Sequence, residues 1–200
     1  MRHGYRGFTM TDTPVPARAS LTRRWPTAVG LVAAVAAIVL LDRSVEQFGP
    51  VVVMMAGIYL MTYALGPPST VWLSFVALSI VFGVVRALDD LDALPVDPAV
   101  VITVVVVLLW LWTVLRRRFT DGSTFTLQTA GMVGFGAVTL VCAAVAPRWG
   151  LALAGVGFLA HGAWDAYHFA TNKVVHRTYA EFCGVVDVVI GPALIVAALA

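Results

Sequence analysis

His161, Asp165 and His168 interrupt a stretch of chain that is otherwise almost wholly apolar. At about 100° per helical residue, Asp165 falls about 40° from His161 and His168 about −20°, so the three share one narrow face. Asn172 continues that face, and Ala154 and Gly157 extend it with small side chains. Asp187 stands at matching depth on the next apolar stretch, with Cys183 and Gly191 on its side. Ionisable groups at bilayer depth are expensive and usually functional.

Three kinds of chemistry fit these residues. The first is metal binding. His161 and Asp165 are spaced i, i+4 and Asp165 and His168 i, i+3, both suited to two ligands on one helical face. His161 and His168 are two turns apart, about 10.5 Å along the axis. The expected ligand set is therefore Asp165, Asp187 and one of the two histidines, the other serving as general base. Cys183, His176 and Glu181 are further candidate ligands. Three protein ligands leave a position for water or substrate at a zinc or iron ion. The second is a proton relay through the same carboxylates and imidazoles, as in a proton-coupled transporter. The third is a structural clamp, in which His–Asp hydrogen bonds tie two helices of a non-catalytic subunit together. The residues leave all three open.

The elements that must position such a site follow from composition. Hydrophobic residues make up 60% of the 200-residue chain and charged residues 12%, about half the charged share of a soluble domain. Seven apolar stretches are long enough, or nearly so, to cross a hydrocarbon core of about 30 Å. They run over Pro26–Leu41, Pro50–Leu65, Thr70–Leu88, Pro98–Leu115, Phe125–Ala146, Gly150–Thr171 and Ala180–Ala200. Helices close their own backbone hydrogen bonds, so the expected fold is an all-α, polytopic transmembrane bundle. Gly66-Pro67-Pro68, Pro95 and Pro98 punctuate the loops, and Pro147 is expected to end the fifth span. Residues 1–24 read as a flexible cytoplasmic tail and 25–200 as one transmembrane domain.

The basic residues set the expected orientation. With the N-terminus in the cytoplasm, ten of the thirteen Lys and Arg residues fall inside: Arg2, Arg6, Arg18, Arg23, Arg24, Arg116, Arg117, Arg118, Lys173 and Arg177. This is the positive-inside pattern and places the C-terminus outside. The same charges favour an uncleaved anchor over a twin-arginine signal at Arg23-Arg24. A net charge of +2 gives no reason to expect nucleic acid. Cys142 and Cys183 fall within spans, where free thiols are expected. Lys173 falls in a loop, which disfavours a retinal Schiff base in the bundle.

In this orientation Asp165 and Asp187 both sit about 10 Å into the bilayer from the cytoplasmic side. Tyr59, Thr62, Tyr63, Ser69, Thr70, Ser74, Thr126, Gln128 and Thr129 gather at the same end. They suggest a pocket open to the cytoplasm or inner leaflet, with Trp164 in its wall or packed nearby.

The run His161-Gly162-Ala163-Trp164-Asp165-Ala166-Tyr167-His168, with Phe182-Cys183 and Asp187 after it, resembles a group of small bacterial integral membrane proteins of unassigned function. The resemblance covers about the last forty residues. It implies that His161, Asp165, His168, Cys183 and Asp187 form one shared pattern in a multi-pass protein of the inner (plasma) membrane, and it implies no activity. Seven-span zinc hydrolases of the progestin/adipoQ receptor and alkaline ceramidase group are a looser architectural analogy. The paired histidines of their last helix have no counterpart here, so their site is not carried over. The expectation is a metal-dependent enzyme with a lipid-like substrate and membrane lipid as its surroundings; the alternatives are the transporter and the non-catalytic subunit.

Overall fold

The computed structural model describes residues 24–41 and 44–200. The expected tail falls outside the described residues apart from Arg24, and with it Arg2, Arg6, Arg18 and Arg23. Seven α-helices follow in order: α1 (Trp25–Leu40), α2 (Val45–Leu65), α3 (Val71–Asp90), α4 (Pro98–Leu115), α5 (Ser123–Ala144), α6 (Pro147–Thr171) and α7 (Arg177–Leu199). Short 3-10 turns, Pro68–Thr70 and Arg118–Asp121, lead into α3 and α5. There is no strand among the described residues.

Helix ends follow local chemistry. Ser44 caps α2 by accepting from Gln47 N, and Glu46 complements the dipole in the first turn. Asp97 caps α4 by accepting from Ala99 N at 2.6 Å, with Pro98 in the first turn. Asn172 ends α6 in the left-handed region at φ 50°, and its side chain accepts from Arg177 N at 3.1 Å.

Two expected boundaries are corrected. Helix α2 begins five residues before Pro50 and runs through it, because Ser44 supplies the cap. The proline removes one ladder donor near the helix start, and a second break lies one turn on. There the Thr139 hydroxyl, from α5, donates to Gly49 O and accepts from Val53 N, each at 3.0 Å. An outside hydroxyl thus stands in the ladder between two residues that would otherwise bond each other. Pro147 opens α6 rather than closing α5; its missing N–H costs nothing in a first turn, and α5 has already ended at Ala144.

Five of the helices are long and apolar enough to cross a membrane: α2, α3 with its leading turn, α4, α5 and α7. Helix α1 is apolar but spans 16 residues, about 24 Å at 1.5 Å per residue. Helix α6 is long, at 25 residues, but its imidazoles, carboxylate and glycines dilute its hydropathy. The bundle's outer surface is apolar: Val32, Val39, Leu73, Ile80, Leu108 and Val196 are all exposed. Soluble monomers rarely expose so much contiguous apolar surface, whereas a bilayer solvates it.

Helix α2 is buried at the centre, against α3, α4, α5 and α6. Helices α6 and α7 form the most extensive pair, and α1 lies along α7. That pair closes through small residues. A Cβ on Gly155 would meet Gly191 O at 2.7 Å, and one on Gly191 would meet Gly155 O at 2.9 Å. Such backbone approach is the membrane helix-packing device for which small residues are selected.

Candidate metal centre

The α6–α7 contact buries the polar stripe. His161, Asp165 and Asp187 are at most 1% exposed. Gly162 and Gly184 bring the two helices together here: a Cβ on Gly184 would sit 3.4 Å from Asp165 Cβ, and one on Gly162 3.5 Å from Asp187 Cβ. His161 Nδ1 is 2.9 Å from Asp187 Oδ2 and 3.7 Å from Asp165 Oδ2. One potential ligand atom from each residue can be chosen so that all lie within 4.8 Å of one another.

Tyr59, from the central helix α2, donates its hydroxyl to Asp165 Oδ1. Its ring also stands edge-on to His161 at 5.6 Å and to His168 at 4.6 Å between centroids. Phe135 of α5 covers the His161 ring at 5.0 Å. The polar trio is therefore walled by aromatic rings.

Charge and hydrogen bonding both leave the trio incomplete. Even with His161 protonated, two carboxylates outnumber one imidazolium. No Lys or Arg forms an ion pair with Asp165 or Asp187 among the described residues. His161 Nε2, Asp165 Oδ2 and Asp187 Oδ1 are buried without a hydrogen-bond partner, as is Trp164 Nε1. Buried polar atoms are nearly always satisfied, so three such atoms on one trio point to a further group. The donor set fits a divalent cation. One imidazole nitrogen and two carboxylate oxygens, one atom from each residue within 4.8 Å of the others, are ligand types that zinc takes.

His168 does not join the trio. Its Nδ1 donates to Trp164 O at 2.9 Å, since a carbonyl can only accept. The ring's other nitrogen, Nε2, is 3.1 Å from Gln128 Nε2 on α5 and accepts from that amide. Both ring nitrogens are engaged, so the imidazole expected as second ligand or general base is held by its neighbours. The shared face was read correctly; the two-turn separation placed His168 against a different helix. His176 is an exposed cap on α7, its Nδ1 accepting from Thr178 N. Glu181 accepts from Thr27 and pairs with Arg24 at 3.5 Å, linking α7 to α1. Neither reaches the trio. Cys183 is buried one turn from Asp187 and stands with it in the wall of a cavity.

No protein-family model, curated protein or solved structure matches this chain.

At the Tyr63 end the polar residues bond one another. Thr62 bonds Ser74 at 3.0 Å, Trp110 Nε1 bonds Thr129 at 3.0 Å, and the Tyr63 hydroxyl lies 2.9 Å from Asp121 Oδ2. Trp72, Phe75, Tyr179 and Phe182 interlock beside them with centroids 5.2 to 6.3 Å apart. The cavity that reaches Asp187 runs the other way, toward Leu41 and Gln47.

Proposed function

We propose that this protein is a seven-span, N-in membrane enzyme. It would hold a divalent cation of the zinc or iron class through His161, Asp165 and Asp187 and act on a lipid-like substrate from within the bilayer. The observation that carries this reading is the buried trio itself, two carboxylates and one imidazole with three atoms lacking a partner. A bound ion supplies Lewis acidity or an activated water in such a place. Tyr59 fixes the Asp165 carboxylate by bonding Oδ1, which leaves Oδ2 toward His161; outer partners of this kind orient ligands and tune affinity. The clustering of Arg116, Arg117, Arg118, Lys173 and Arg177 at one end supports the orientation.

Elemental analysis of protein purified without added metal tests the reading. Near-stoichiometric zinc or iron, lost in an Asp165→Asn/Asp187→Asn double variant that still elutes as a single species, supports it. Protein that carries no metal and takes none up on titration overturns it.

A second reading, the proton relay, draws on one specific feature. His161 Nδ1 is the atom shared by both carboxylates, as a group passing a proton between them would be. Metal-free protein that carries a pH-gradient-driven flux in liposomes would favour it.

A further inference from the structure

One cavity in the bundle has a carboxylate of the trio in its wall. It holds about 240 Å³ between α1, α2, α3 and α7. Ala33, Ala37 and Leu41 line it from α1 at successive turns, Phe75 and Phe82 from α3, and Cys183 and Asp187 from α7. Helix α1 meets α3 at its start, Trp25 against Trp72 at 6.0 Å; beyond that point the cavity lies between them. The cavity thus leads from the space between two outer helices to a buried carboxylate.

We propose that this cavity binds a neutral single-chain lipid, a long-chain alcohol, with its hydrocarbon chain along α1 and its hydroxyl at Asp187. Three observations select that class. The volume of about 240 Å³ falls below the ~300–1,000 Å³ of ordinary ligand pockets, so one chain fits and a two-chain phospholipid does not. Among the described residues no Lys, Arg or His lines the cavity, so a phosphate or carboxylate head finds no countercharge there. Asp187 is fully buried and its Oδ1 lacks a partner, and a hydroxyl is the neutral head group that can donate to it. Two carboxylates already balance a divalent ion, so an ammonium head is not called for. This deepens the proposed function by naming its substrate class, and it rests on the trio being the reacting end.

The experiment uses full-length protein in nanodiscs and a long-chain alcohol bearing a diazirine in its chain and an alkyne tag. Photolabelled peptides are mapped by mass spectrometry, and metal is measured in the same samples. Labelling is expected on α1 and α3 residues of the cavity wall. Ala37→Phe, which fills the cavity from α1, is expected to cut it roughly tenfold because the added ring takes the space of the chain, with metal content unchanged. Ala33→Leu is a milder filling for use if Ala37→Phe does not yield a single species. Labelling that both variants leave intact, or that maps to lipid-facing side chains, overturns the proposal while the metal reading stands. A fatty acid of equal length competing as well as the alcohol overturns the head-group assignment. Site-specific labelling of a protein that binds no metal upholds the cavity proposal and removes the metal centre instead.

Discussion

His161 Nδ1 on α6 and Asp187 Oδ2 on α7 meet at 2.9 Å across the most extensive helix pair among the described residues. The contact has two consequences with different magnitudes. As a hydrogen bond between membrane helices it contributes about 0.6 kcal/mol on average. In the metal-free protein the imidazole matters more: among the described residues it is the only positive-capable group paired with the two buried carboxylates, and removing one member of a buried ionic set costs about 3–5 kcal/mol.

His161→Ala is therefore expected to destabilise the protein by about 3–5 kcal/mol, well beyond the loss of one hydrogen bond. Asp187→Asn keeps a partner for Nδ1 and removes one charge, so it should cost much less. Thermal unfolding of both variants in detergent checks the order. Equal losses, or a larger loss for Asp187→Asn, would show that the charge imbalance is relieved in some other way.

Tyr59→Phe removes the donor to Asp165 Oδ1 and leaves both oxygens of that carboxylate without one. The expected cost is about 1–3 kcal/mol, the desolvation penalty of a stranded buried group. Loss of an orienting partner should also weaken metal affinity about 10- to 100-fold. Isothermal titration with zinc on stripped protein measures this; affinity unchanged from wild type would mean that Tyr59 only packs.

His168→Ala separates the stripe into its parts. His168 is tied to Gln128 and the Trp164 carbonyl, so its removal should leave metal stoichiometry intact, whereas His161→Ala should abolish it. Elemental analysis of the two variants side by side decides the matter. Loss of metal in both would restore the longer ligand set that spacing alone suggests.

The pairing of α6 and α7 was legible because His161, Asp165 and Asp187 carry a large penalty anywhere but a protein interior, and the small-residue faces around them tell where that interior is. Helical phase also put His168 on the right face. It could not tell which neighbour each turn of that face would meet, and Gln128 arrives from α5, 40 residues earlier in the chain. Tyr59 appeared only as one of many polar residues at helix ends, with nothing local to single it out. The cavity was illegible for a related reason: Ala33, Ala37 and Leu41 look like ordinary lipid-facing positions until α3 is known to stand apart from them. Pro50 and Pro147 misled in opposite directions, since a proline near a helix start is compatible with either side of the boundary.

Thr139 left no mark in the sequence, and it offers the sharpest test of the packing. Its hydroxyl donates to Gly49 O and accepts from Val53 N, so α2 depends on α5 at that turn. Thr139→Val keeps the shape and strands both backbone groups, each at about 1–3 kcal/mol, unless α2 straightens to let them bond directly. Straightening is opposed by the contact itself, because α2 and α5 pack closely there: a Cβ on Gly136 would lie 3.7 Å from a Val53 methyl. Thr139→Val should therefore lower the unfolding temperature clearly, while Thr139→Ser, which keeps the hydroxyl and loses a methyl, should lower it less. Serine faring as badly as valine would show that the methyl's packing, and not the inserted hydroxyl, holds the two helices together.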